Sequence, residues 1–260
     1  MAVENDRLDR FAKSALRVIE LYEFDGLDLD WEFPAWGGMP WADRGNFVKL
    51  LKKLRYTFDN TSIFEMGKHI LLTAAVAAPF TIFEVSYDIP MMAMYLDYCL
   101  LMGYDFNKYN SIFPFAEFNS PLFRHNGQVS VLKMLNLEHA SNSWVSKGMP
   151  RDKLVVGIPF YGTTYKLANA LMHDVGAAVK GPGIFNGSVS YPQVCNFIVN
   201  KGWKREFNNE SRVPFAYHNE DWITYDDVQS TIEKVIWIMD NRFAEHSVEN
   251  SLFLSDKTLS

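Results

Sequence analysis

Four apolar runs divide the first part of the chain, at positions 24–33 (FDGLDLDWEF), 70–78 (ILLTAAVAA), 95–104 (YLDYCLLMGY) and 154–160 (LVVGIPF), and helical patterns fill the intervals between them. Leu8, Phe11, Ala12, Ala15, Leu16 and Ile19 recur at three- and four-residue steps and predict an amphipathic helix ending near Tyr22. Phe47, Leu50, Leu51, Leu54 and Phe58 predict a second helix; a helical piece follows at 91–94 and a longer helix at 129–145. Near-continuous apolar strands alternating with helices mark a parallel sheet covered on both faces, so the expected class is α/β. An open doubly wound sheet and a (β/α)8 barrel both satisfy the pattern. Polar residues gather at the C-terminal ends of the runs: Asp30 and Glu32 on the first, Tyr104 and Asp105 on the third, Tyr161 after the fourth. Barrel enzymes carry their chemistry there.

After Tyr161 the rhythm breaks. Positions 163–222 are richer in Gly, Asn and Ser, with short alternating pieces such as 213–217, and read as a small α+β insertion. A helix over 225–239 resumes the earlier pattern, and 240–260 is polar with no strand expected. The expected division is therefore 1–162, 163–222 and 223–260. The 260 residues suit one large domain with an embellishment as well as two small ones. A net charge of −6 with no long basic run excludes nucleic acid as a partner. No uncharged apolar stretch approaches about 18 residues, so no membrane span is expected. The opening MAVENDRLDRF lacks the basic, apolar, small-residue order of a signal peptide. Cys99 and Cys195 lie far apart and fit neither a disulfide framework nor a zinc spacing. Sequons at Asn60, Asn186 and Asn209 are about as many as chance supplies.

Strand side chains alternate, so Asp28, Asp30 and Glu32 share one face while Leu27, Leu29 and Trp31 take the other. Neighbours on one face are about 6.6 Å apart at Cα. On a buried face, repulsion and desolvation would keep at least one of three such acids protonated near neutral pH. General acid catalysis needs that arrangement, one neutral carboxyl with neighbours that share its proton. A solvated strand face and a divalent-cation site are the alternatives. The apolar flank of Leu27, Leu29, Trp31 and Phe33 favours a buried face, and no His or further acid cluster nearby completes an oxygen cage.

The run from Phe24 to Pro34 carries DGxDxDxE and resembles the signature of the glycoside hydrolase family 18 chitinases. Further pieces are similar in order and spacing: WEFPAW at 31–36, LLTAAVAAP at 71–79, SYDIP at 86–90, Met102-x-Tyr104-Asp105, VSKGMP at 145–150 and VVGIPFYG at 155–162. They look most like arthropod-type chitinases, over about positions 5–240. Positions 165–227 resemble the chitinase insertion domain. The resemblance implies a partial (β/α)8 TIM barrel, strands four to seven, with an α+β insertion, and no cofactor or metal. It implies retaining hydrolysis of β-1,4-linked N-acetylglucosamine with the substrate's 2-acetamido oxygen as nucleophile. Glu32 would be the acid and base, Asp30 would orient the acetamido group and stabilise the oxazolinium ion, and Asp28 would share a proton with Asp30. Asp25, out of phase, would support the strand. Tyr104 would hydrogen-bond the acetamido carbonyl, with Asp105 beside it, Met102 on the floor and Tyr161 as a wall. Trp36 and Trp222 stay open between sugar stacking and core. The partners implied are chitin and chitooligosaccharides, the location extracellular, and the complete protein monomeric.

Three departures accompany the resemblance. Strands one to three and eight of the family barrel have no counterpart, so the expectation is a chain truncated at both ends and weak or inactive alone. Thr163 stands where the family usually has Arg, and Phe118 where it usually has His. Cys195 resembles an insertion-domain cysteine whose family partner lies further downstream, so it is expected unpaired. A catalytically silent, chitin-binding relative is the second functional reading; the presence of Glu32 argues against it.

Overall fold

The computed structural model describes residues 5–61, 67–244 and 252–255. The chain divides into two compact units, one comprising 1–101, 142–155 and 243–251, the other 102–141, 156–242 and 252–260.

The first unit opens with helix Asn5–Tyr22, which buries Leu8, Ala12 and Ile19 as the periodicity predicts. Strand β1 (Gly26–Leu29) follows and pairs in parallel with β2 (Leu71–Ala77), Asp28 opposite Thr73. The ladder starts tightly: a Cβ on Gly26 would lie 2.1 Å from the Leu71 carbonyl oxygen. Between the two strands, helix Asp43–Asp59 buries Phe47, Leu50, Leu51, Leu54 and Phe58, the five residues its sequence spacing picks out. Each such burial contributes about 1.5–3 kcal/mol, which fixes the helix face. Pro79 ends the β2 segment and precedes helix Phe80–Ser86; helix Ile89–Tyr95 then leads to β3 (Tyr98–Met102). Lys153 donates to the carbonyl oxygens of Ala93 and Leu96 (2.9 and 2.7 Å) and so satisfies the end of that helix. Trp144 ties the aromatic core together: its rings pack on Phe83 and Tyr87, and its indole N–H donates to the Ala77 carbonyl oxygen at 3.1 Å.

Strand β4 (Leu154–Pro159) passes from the first unit into the second, where its later residues pair in parallel with β11 (Leu252–Ser255). The mainly parallel sheet has the order β1-β2-β3-β4-β11 and, among the described residues, does not close on itself. The second unit adds an antiparallel sheet of β5 (Tyr161–Leu167), β6 (Val179–Gly181), β7 (Ser188–Ser190), β8 (Lys204–Asn208), β9 (Val213–His218) and β10 (Asp221–Thr224), in the order β6-β5-β10-β9-β8 with β7 also on β5. Helix Tyr191–Asn200 joins β7 to β8. Phe118, Tyr165, Phe215, Tyr217 and Trp222 form the aromatic core of this unit.

Four sequence expectations are corrected. The first strand was expected over 24–33 and covers Gly26–Leu29, because its ladder with β2 accounts for those four residues alone. The helix expected over 129–145 is a 3-10 turn, Ser130–Met134, and a separate helix, Leu137–Ser146. Asn136 divides them, accepting from the His139 amide (2.9 Å) as an N-terminal cap. The helix expected from 225 starts at Val228, because Asp227 caps it through the Ser230 amide (3.1 Å). Finally, 240–260 was expected to hold no strand, yet Leu252–Ser255 pairs with Val156–Pro159. A neighbour supplying backbone partners overrides a weak local preference.

Candidate active site

In the first unit β1 places Asp28 on the face opposite Leu29, and the chain beyond its C-terminal end carries Asp30 and Glu32. The apolar face is packed: Leu29 is buried and Trp31 meets Phe47 edge-on at 5.9 Å. Asp28, Asp30 and Glu32 are all exposed, which corrects the expectation of a buried acidic face. β1 has β2 as its one ladder partner among the described residues, so a neighbouring strand flanks its side chains on one side alone. Thr73 anchors the first acid, its hydroxyl donating to Asp28 Oδ1 at 2.5 Å. Partial burial first, and then the charge on Asp28, hold the Asp30 carboxyl above the ordinary carboxylate range.

A folded-state pKa above the unfolded one makes protonated Asp30 favour the fold. That contribution is complete below the unfolded value and is lost as pH rises through the folded one. Asp28→Asn removes the like charge while keeping an oxygen for Thr73, so the Asp30 pKa is expected to fall toward the ordinary carboxylate value. A carboxyl-carbon NMR titration of both proteins measures this; an Asp30 pKa that stays or rises contradicts the coupling.

Sequence reasoning missed two neighbours of these acids. Tyr87 is buried, and its hydroxyl accepts from the Ala77 amide at 3.4 Å. Burial raises its pKa far above that of a free phenol, with the charges of Cys99, Glu32 and Asp30 adding to the rise. Cys99 is likewise buried and held neutral, by burial and then by the Asp28 charge. Cys99 lies in the apolar run 95–104, whereas Tyr87 lies outside the four runs and its sequence context carried no signal.

The other group of predicted residues stands in the second unit. Met102 and Tyr104 are buried, and Asp105 turns the chain with φ 57°. Tyr104 meets Tyr161 edge-on at 6.0 Å, and the Tyr161 hydroxyl donates to Asp105 Oδ1 at 2.7 Å. Lys108 pairs with the other Asp105 oxygen at 2.8 Å. Burial and the Asp105 charge raise the Tyr161 pKa well above the phenol range, so this hydroxyl remains a donor. Gly103 is required between Met102 and Tyr104: a Cβ there would meet Leu137 Cδ2 at 2.2 Å and the Gly157 carbonyl oxygen at 2.7 Å. Trp36 is 38% exposed in the turn after the acids. Trp222 is core, stacked on Phe215 and donating its indole N–H to the His173 carbonyl oxygen at 2.9 Å. Thr163 donates to Asn119 Oδ1 at 3.1 Å, and Phe118 lies in the aromatic core. Cys195 is a free thiol. Among the described residues no three His, Cys, Asp or Glu side chains are grouped to hold a metal ion, and no helix is long and apolar enough to cross a membrane.

The chain is 34% identical over 235 residues to chitotriosidase-1 of Mus musculus, an alignment covering 88% of this chain and 49% of that protein. It thus spans about half the length of the curated relatives it matches. Among solved structures it resembles an immunomodulatory active chitinase from Trichuris suis (TM-score 0.86, 32% identity, 94% of this chain and 66% of that one). It is also similar to the Ostrinia furnacalis Group IV chitinase in complex with allosamidin (TM-score 0.85, 32% identity, 94% and 66%). The profile of the glycosyl hydrolases family 18 matches residues 1–244. With DGxDxDxE at the end of a parallel strand and this likeness along nearly the whole chain, the protein belongs to the glycosyl hydrolases family 18.

Proposed function

We propose that the protein is a chitinase that hydrolyses β-1,4 linkages between N-acetylglucosamine units with retention, the substrate's own 2-acetamido oxygen acting as nucleophile. Glu32 protonates the leaving glycosidic oxygen and later deprotonates water. Asp30 orients the acetamido N–H and stabilises the oxazolinium ion, while Asp28 shares a proton with it. Tyr104 donates to the acetamido carbonyl, and Met102, Asp105, Tyr161 and Trp36 contact sugar. The reaction takes no cofactor. Chitin and chitooligosaccharides are the substrates, met outside the cell by a monomeric protein. The observation carrying this reading is the graded acid set: Asp28 anchored by Thr73, and Asp30, its carboxyl raised above the ordinary range by partial burial and then by the Asp28 charge, two residues before Glu32.

The exposure of the three acids bears on rate, because oriented charges stabilise a transition state most where water is excluded. Turnover by the 260-residue polypeptide is accordingly expected to be low, roughly 10²-fold or more below that of mouse chitotriosidase-1 assayed beside it. The test follows a fluorogenic chitooligosaccharide for rate and proton NMR for the anomer released. Slow release of the β-anomer supports the proposal, and release of the α-anomer sinks the mechanism. Tight chitooligosaccharide binding with no cleavage favours the chitin-binding, non-catalytic reading instead.

A further inference from the structure

The second unit buries a charged pair that the chemistry above leaves unused. Lys234, inside helix Val228–Asp240, is 0% exposed, and its ammonium lies 2.6 Å from Asp226 Oδ1. Burial pushes the Lys234 pKa down and the Asp226 pKa up, and the attraction between them opposes both shifts. Such a pair is a poor device for stability, since well-packed apolar residues of similar volume often serve as well or better. Its remaining contacts indicate another role. Lys234 also donates to Ser120 Oγ at 2.9 Å, and Ser120 donates to the Gly103 carbonyl oxygen at 2.5 Å.

Asn119 grips the other side of the same turn. Its Oδ1 accepts from the Asp105 amide at 3.1 Å and from Thr163 Oγ1 at 3.1 Å, and its backbone amide donates to Thr224 Oγ1 at 3.3 Å. Its carbonyl oxygen accepts from the Phe106 amide at 3.0 Å. Tyr104 is thus held at the carbonyl before it and the amide after it by adjacent residues, Ser120 and Asn119, in a turn whose Asp105 sits at a φ that L residues rarely adopt.

We propose that Lys234, Asp226, Ser120 and Asn119 are positioning residues that fix the Tyr104–Asp105 turn, so that the Tyr104 hydroxyl meets the substrate's acetamido carbonyl in reactive alignment. The inference rests on the chitinase reading. Aim matters here because the acetamido oxygen attacks only when it is held in line with the anomeric carbon of its own sugar ring. Loss of the frame therefore lowers kcat and leaves KM nearly unchanged.

The test compares the 260-residue chain with the double variant Lys234→Met/Asp226→Leu and with Asn119→Ala. The measurements are kcat and KM on a fluorogenic chitooligosaccharide and the melting temperature. For the double variant the expected result is a kcat reduced about 10- to 100-fold, KM within about twofold, and a melting temperature held or raised. Asn119→Ala should reproduce the kcat loss even if the double variant fails to fold. An unchanged kcat in either folded variant overturns the inference, as does a kcat loss that only follows a fall in melting temperature. Glu32→Gln is the control that separates the two levels. If kcat responds to Glu32→Gln and ignores the frame variants, the inference alone fails; if kcat ignores Glu32→Gln, the chitinase reading fails and takes the inference with it.

Discussion

Glu32→Gln is expected to lower chitooligosaccharide hydrolysis by about 10²- to 10⁴-fold, the share of rate that a positioned general acid supplies. At about 1.36 kcal/mol per decade that is roughly 3–5 kcal/mol of transition-state stabilisation. The amide keeps the shape and length of the carboxyl but has no proton to give the leaving oxygen. Glu32 is exposed, so the melting temperature should move little, and chitooligosaccharide affinity should be retained. Loss of kcat with KM unchanged is the signature of an interaction made only in the transition state. Steady-state kinetics with calorimetric titration of the same oligosaccharide separate the outcomes. A kcat within about threefold of wild type would remove Glu32 from the mechanism.

The same residue shows why part of this protein was legible in its sequence. Two rigid periodicities carry most of the fold information. Period 3.6 placed Phe47, Leu50, Leu51, Leu54 and Phe58 on one helix face, and all five are buried. Period 2 placed Asp28 opposite Leu29, and the one is exposed and the other packed. Where backbone partners decide, the sequence pattern misleads. β1 stops at Leu29 because its ladder stops, and Leu252–Ser255 becomes a strand because β4 offers it a register. Caps explain the remaining boundaries: Asn136 and Asp227 each accept from the amide three residues on, and each begins a helix that apolar spacing alone started too early.

The site was legible in the same uneven way. The acids announced themselves because three carboxylates on one strand face have few structural uses. Trp222 stayed ambiguous because an indole suits sugar and core alike; its contacts with Phe215, Phe118 and Tyr165 place it in the core. Tyr87 and Lys234 gave no warning. A tyrosine just after a short helix and a lysine in an amphipathic helix are ordinary residues, and only three-dimensional neighbours make the first a companion of the acids and the second a buried cation.

Lys234→Met on its own is expected to destabilise the fold strongly. The single change leaves Asp226 without its cation, still buried, with Ser230 Oγ at 2.8 Å as a hydrogen-bond donor. Breaking a buried pair from one side typically destabilises by about 3–5 kcal/mol, a large part of the stability of a domain of this size. The deficit should depend on pH with a definite sign. Without Lys234 only the Ser230 hydrogen bond opposes burial, so the folded-state pKa of Asp226 rises further above its unfolded value. Such a group favours the fold below the unfolded pKa and loses that contribution as pH rises through the folded one. The variant should therefore come closest to wild type in mild acid and fall furthest behind at neutral pH. Urea melts of both proteins across that range measure the gap. Equal gaps at every pH would mean that Asp226 is not the cause, and the double variant, which removes both charges, should close most of the gap at neutral pH.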